Sequence, residues 1–170
     1  REDVARVWLW VFRLQIGVVY FYAALAKAQP DWLLHAQPLR IWLGARTYLP
    51  VLGPIFTQPW VPFAMSWMCF LFDLTIVGWL SWRRTRPWAY VVLLSFHVLT
   101  RLLFDIGMFP IIMSLGALVF FDPSWPRRFV KRAMPSFEDV VAPRRWHAPA
   151  LALGAAYAVL QLVLPLRSHL

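Results

Sequence analysis

The chain has 170 residues, room for one domain, and 61% of them are apolar against 15% charged, a balance that excludes an ordinary soluble globular protein. Its formal charge of +9 does not point to nucleic acid, because the basic residues lie in short clusters between apolar runs, as cytoplasmic loops do. Cys69 is the single cysteine, which excludes an intrachain disulfide and a cysteine metal centre. The apolar runs have membrane-spanning length, roughly 17–25 residues each. The fold expected is all-α: a polytopic transmembrane helical bundle of about five spans, with an extracytoplasmic interfacial segment after the first.

The first span is expected over about Val4 to Ala26. Arg1, Arg6 and Arg13 on its early side put the N-terminus in the cytoplasm. Basic residues, an apolar core and Ala24-Leu25-Ala26 also make the pattern of a signal peptide. Arg13 and Gln15 interrupt that core, so a retained span is the expectation. Residues 28–60 are broken by Pro30, Pro38, Pro50, Gly53, Pro54 and Pro59, which forbid a long helix. Between them Leu39, Trp42 and Leu43 share a helical face, suiting either a short helix in the interface or a plain loop.

A second span runs from about Val61 to Trp82 and returns to the cytoplasm at Arg83-Arg84-Thr85-Arg86. Pro87 suits the first turn of a third span reaching about Phe104. A fourth, about Ile106 to Phe121, follows in a tight hairpin near Gly107 and Pro110, and is short enough to imply tilt or thinning of the bilayer. Residues 122–147 form a basic cytoplasmic loop with Arg127, Arg128, Lys131, Arg132, Arg144 and Arg145, able to touch anionic headgroups. A last span, about Ala148 to Leu164, returns outside. Twelve of the 17 lysines and arginines then lie on the cytoplasmic side, which supports an extracytoplasmic C-terminus. The chain opens on Arg1 directly before an apolar run and is read as part of something longer.

Charged groups at membrane depth cost a few kcal/mol at least, so each requires a reason. Asp73 and His97 fall near mid-depth of their spans, with Lys27 and the Arg101/Asp105 pair near the outer edge. His97, Arg101 and Asp105 recur every four residues and share a face if the helix persists that far. Tyr20, Ala24 and Lys27 share a face of the first span, where Ala23 and Ala24 permit close approach of another helix. Plainer roles exist: Lys27 as a snorkelling anchor, His97 as a packing residue, Arg101 and Asp105 as mutual neutralisation. The 11 tryptophans suit an interfacial belt. No nucleophile elbow, phosphate loop or zinc spacing is present. What remains is a lysine at the edge of hydrocarbon, where burial favours a neutral amine able to act as a base.

Tyr20-Phe-Tyr-Ala-Ala-Leu-Ala-Lys27-Ala-Gln-Pro-Asp31-Trp32 followed by Pro38-Leu-Arg-Ile-Trp-Leu43 resembles the vitamin K-dependent gamma-glutamyl carboxylase family, and more closely its bacterial HTTM (horizontally transferred transmembrane) members. Phe96-His97, Phe104-Asp-Ile-Gly-Met-Phe-Pro110 and Ser124-Trp-Pro-Arg-Arg128 agree in order, as do Asp73-Leu74 and Leu164-Pro165. The resemblance implies that residues 1–170 are part of a larger carboxylase-like membrane domain. Further spans, carrying another histidine of the site, would precede it, and a soluble extracytoplasmic domain would follow.

It implies Lys27 as the base that deprotonates vitamin K hydroquinone, with His97 as a second catalytic residue. Tyr20, Asp31, Trp32, Asp73, Arg101, Asp105 and Met108 would contact the quinone. The cofactors implied are a menaquinol-type quinol, oxygen and carbon dioxide, without a metal. Oxygenation gives an epoxide by way of a strong base that removes a proton from a protein glutamate, which then takes up carbon dioxide. Partners would be membrane lipid, quinone and a glutamate-bearing protein, and the location a bacterial inner membrane. Thr100 stands where the family often has asparagine, and Ala26 precedes Lys27 where the human-type enzyme has a second lysine. A different class also fits the residues: a quinone- or lipid-binding module or transporter fragment without catalysis. A third is an assembly scaffold that uses the basic loop.

Overall fold

The computed structural model describes residues 2–122 and 147–163. Every regular element among them is a helix. The first two expected spans are α1 (Glu2–Lys27) and, after three short helices, α5 (Val61–Ser81). Segments Trp8–Lys27 and Val61–Ser81 are long and apolar enough to cross a membrane. The third expected span is α6 (Arg86–Leu103). The fourth begins as α7 (Phe109–Gly116) and tightens into a 3-10 helix at Ala117–Phe120, and α8 (His147–Val163) covers the fifth. These last three do not reach both the length and the apolarity of a span. Large apolar side chains such as Met68, Trp88 and Leu102 stand exposed along α5 and α6, a surface suited to hydrocarbon.

Proline sets where the helices begin. α2 (Pro30–Leu33), α4 (Gly53–Phe56), α5 and α6 each carry one in the first turn, where its missing N–H is not needed. The breakers in residues 28–60 thus give short helices rather than a bare loop. α3 (Leu39–Gly44) buries Leu39 and Leu43 in a cluster with Phe56, Val61 and Leu103. Ile41 faces outward, and Trp42 is half-exposed with its ring against Phe104. The helix expected in the interface is therefore also bolted to the bundle. The Trp32 indole N–H fixes α2 to α5 by donating to the Ser66 carbonyl at 3.1 Å.

The α5–α6 turn is closed by Arg86, which donates to the Leu80 and Ser81 carbonyls at 2.8 and 3.1 Å. Those are carbonyls at a helix C-terminus, which lack intrahelical donors. One arginine of the basic cluster at 83–86 is thus a cap. α6 ends at Leu103 because Phe104 turns extended. The chain then swings through Gly107 at φ +62°, a left-handed conformation that suits glycine. This corrects the expected face of charges: Asp105 lies past the helix end, and no Arg101–Asp105 ion pair forms among the described residues. Arg101 instead donates to the Gly107 carbonyl at 2.8 Å.

The chain divides into two compact units, Val19–Gly116 and Arg1–Val18 with Ala117–Leu170. Within the latter, Arg13 donates to the Val119 and Phe120 carbonyls at 3.1 and 3.3 Å. Its guanidinium lies over the Trp10 and Phe120 rings. A charge inside an apolar helix is in this way satisfied by the carbonyls at the end of the 3-10 helix. The basic loop with Arg127 to Arg145, the Ser124–Arg128 block and Leu164-Pro165 lie outside the described residues.

Two glycines separate packing from propensity. A Cβ at Gly53 would run into the Thr47 carbonyl, whereas one at Gly44 would meet nothing. Gly53→Ala is expected to cost about 1–3 kcal/mol and Gly44→Ala to be neutral or to stabilise by up to about 1 kcal/mol. Unfolding in detergent micelles measures both. Equal effects would contradict the close approach at Gly53.

Candidate functional site

The last two turns of α1 carry Tyr20, Ala23, Ala24 and Lys27 along one side, and Ala24 is buried there. Lys27 Nζ donates to Asp73 Oδ2 at 2.6 Å and to the Ala23 carbonyl at 3.2 Å. It also lies over the Trp32 ring, 5.3 Å from its centre. The Lys27 side chain is 20% exposed and that of Asp73 only 6%. Lys27 is therefore neither a free anchor in solvent nor a solitary amine. It is half of a sheltered ion pair between α1 and α5. An ammonium has three donors, and these contacts use two of them.

A second polar pair lies alongside. The Tyr20 hydroxyl and His97 Nε2 are 3.0 Å apart, and the two residues are 2% and 3% exposed. Phe72, Phe96 and Phe109 meet the imidazole with rings nearly perpendicular to it. Phe72 and Phe96 stack on one another at 3.9 Å. Thr100, one turn past His97, donates its hydroxyl to the His97 carbonyl at 3.0 Å. Both pairs face one cleft of about 150 Å³, whose remaining wall is mostly apolar and aromatic.

Five of the nine residues expected at the site line this cleft: Tyr20, Lys27, Trp32, Asp73 and His97. The other four are not among its lining residues, and each has a physical reason. Asp31 is exposed in the first turn of α2. Arg101 is exposed at the end of α6 and holds Gly107. Asp105 is exposed beyond that helix, and Met108 is exposed in the connector. Sequence reasoning missed several lining residues, among them Cys69, Thr100, Trp42, Ile106 and Phe109. Cys69 was legible as a wall residue, since it precedes Asp73 by one helical turn and so shares its face. Among the described residues no group of three His, Cys, Asp or Glu side chains is placed to hold a metal ion.

Removing one partner of a sheltered ion pair leaves the other charge uncompensated, whereas removing both does not. Lys27→Met or Asp73→Leu alone is expected to destabilise by about 2–4 kcal/mol, the usual 3–5 reduced for the partial exposure of Lys27. The double substitution should cost clearly less than the sum. A double-mutant cycle in micelles reads the coupling, and strict additivity would mean the pair does not form.

No solved structure matches the chain. A family model described as HTTM domain matches residues 1–125, a stretch that contains both ends of the ion pair and every residue lining the cleft. With that match over most of its length, the chain belongs to the HTTM domain family, a transmembrane domain associated with vitamin K-dependent carboxylase-like membrane proteins.

Proposed function

We propose that the cleft binds the ring of a reduced quinone and takes a proton from it. The observation that carries this reading is the Lys27–Asp73 contact of 2.6 Å in the wall of an aromatic cleft. About 150 Å³ is the size of engineered apolar cavities that accept a benzene-sized ligand. One aromatic ring fits it, and the second ring and prenyl tail of a naphthoquinol would have to extend beyond it. Reduced vitamin K or a related menaquinol-type quinol, when bound, supplies the chemistry: with oxygen it yields an epoxide and a base strong enough to drive carboxylation of a protein glutamate with carbon dioxide.

The chain's own residues then have defined tasks. Lys27 passes one ammonium proton to Asp73 Oδ2 along their short contact, and the amine so formed takes a proton from the ligand hydroxyl. Asp73 stores the displaced proton, so the pair rather than an isolated amine is the base. Phe96, Phe109 and Trp32 exclude water, which protects a strongly basic species from being quenched. Lys27 and Asp73 stand as the proton-transfer residues, with Tyr20, Trp32 and His97 framing the ring.

The reading extends to architecture. It takes the chain as the five-span part of a larger bacterial inner-membrane protein, N-terminus cytoplasmic and C-terminus extracytoplasmic. Further spans would precede it, and a soluble domain holding the glutamate substrate would follow. A second reading is a quinone-binding module or transporter fragment without turnover. It draws on the same ion pair, since Asp73 already balances Lys27 without any chemistry.

The test incubates the complete parent protein with reduced vitamin K and oxygen and measures epoxide. Lys27→Ala is expected to lower its rate at least about 100-fold, the scale of a lost general base. Equal yields would remove Lys27 from the mechanism. Labelling by a photoactive quinone without turnover in the wild type would favour the binding module.

A further inference from the structure

We infer that the segment from α2 to α4 is a docking platform for the headgroups of anionic phospholipids, with Arg40 and Arg46 as the groups that meet the phosphate. The surface lies outside the cleft, and its role does not depend on the reaction proposed above.

The platform's place follows from its neighbours. Residues 28–60 join Lys27, where one membrane-length segment ends, to Val61, where the other begins. α5 has 21 residues, about 31 Å at 1.5 Å each, which matches a hydrocarbon core of about 30 Å. A connector at the end of such a helix lies at headgroup depth. Its inner side is fixed: Leu39, Leu43 and Phe56 are buried in one cluster with Val61, and Leu49 and Leu52 pack against it. The turn between α3 and α4 is tight, because the Gly53 N–H donates to the Leu49 carbonyl at 2.8 Å. Side chains between those anchors are left on the outside. Ile41, Tyr48, Val51 and Trp60 are between 62% and 79% exposed. Such a surface beside a spanning helix belongs at the boundary between headgroups and acyl chains.

Charge supplies the selectivity. No aspartate or glutamate lies between Asp31 and Asp73, whereas Arg40 and Arg46 both do. Neither arginine forms an ion pair among the described residues. Aromatic groups hold both instead. The Arg40 guanidinium lies over the Phe63 ring at 5.2 Å. Arg46 Nη1 donates to the Tyr48 hydroxyl oxygen at 2.9 Å, which leaves the Tyr48 proton for an outside acceptor. These contacts orient the two guanidinium groups yet consume few of their N–H donors. Arginine meets phosphate oxygens through paired N–H bonds, and the apolar side chains around it favour a phosphate that arrives with acyl chains. In a zwitterionic lipid the phosphate is offset by the lipid's own ammonium, so the net attraction falls on anionic headgroups.

The test uses the full chain in phosphatidylcholine nanodiscs, with a bimane label at Ile41→Cys in a Cys69→Ser background. A small, equal share of doxyl-labelled phosphatidylglycerol or doxyl-labelled phosphatidylcholine serves as quencher. Phosphatidylglycerol is expected to be enriched about fivefold over phosphatidylcholine next to the label, the scale of one basic residue at an anionic surface. Arg40→Gln/Arg46→Gln should abolish that preference, and Arg40→Lys/Arg46→Lys should keep most of it. Arg83→Gln/Arg84→Gln, in the α5–α6 turn, should leave it unchanged. Raising the salt to about 0.5 M should weaken it, because exposed charges are screened. Equal quenching by the two lipids, or a preference that survives Arg40→Gln/Arg46→Gln, would overturn the inference. So would a label that neither lipid quenches, which would assign the platform to a protein partner or to water.

Discussion

An ammonium at the end of α1 and a carboxylate midway along α5, 2.6 Å apart, constrain the elements around them more tightly than any apolar contact does. Hydrophobic surfaces slide, and a Leu in the wrong place finds another Leu. A charge in hydrocarbon costs several kcal/mol unless it meets its opposite, so the pair fixes both the approach and the register of the two helices. Ala24, on the same side of α1 as Lys27, is buried. Trp32 then covers Lys27 with its ring and ties α2 to the Ser66 carbonyl. Leu39 and Leu43 clamp the following helix to the same cluster.

With the helix ends held, α6 completes the site. His97 reaches Tyr20, and Phe96 stacks on Phe72 of α5. The result is a cleft in which a few polar atoms face apolar walls. Such an arrangement strengthens each electrostatic interaction by removing the competing solvent. Chemistry that makes a strong base needs that dryness. So does any binding site that must recognise a lipid-soluble ring by its oxygens rather than by its area.

Much of the architecture was legible because the signals were local. Pro87 marked the start of α6, the breakers of residues 28–60 ruled out a long helix there, and apolar runs of the right length marked α1 and α5. Ionisable residues inside apolar helices, Asp73 of α5 and His97 of α6, stood out because hydrocarbon gives them no other home. Pairing was harder to read. Nothing in spacing says that Lys27 meets Asp73 rather than Tyr20, since that depends on how two helices approach in space. Asp105 misled for a related reason: its four-residue spacing from Arg101 counts only while the helix lasts, and Phe104 ends it. Cys69 and Thr100 were each one turn from a residue already singled out. They went unnoticed as wall residues because neither type announces a site by itself.

The most direct test is the distance between Lys27 and Asp73 in a bilayer. The chain has two lysines, at 27 and 131, so nitrogen-15 lysine labelling with Lys131→Arg leaves one side-chain signal. Dipolar recoupling to carbon-13 aspartate reads whether a carboxyl carbon lies against that nitrogen, with Asp73→Asn in unlabelled asparagine as the control. A strong coupling lost in the control is expected. A Lys27 signal with no coupling to Asp73 would contradict the ion pair and return the lysine to the role of an anchor.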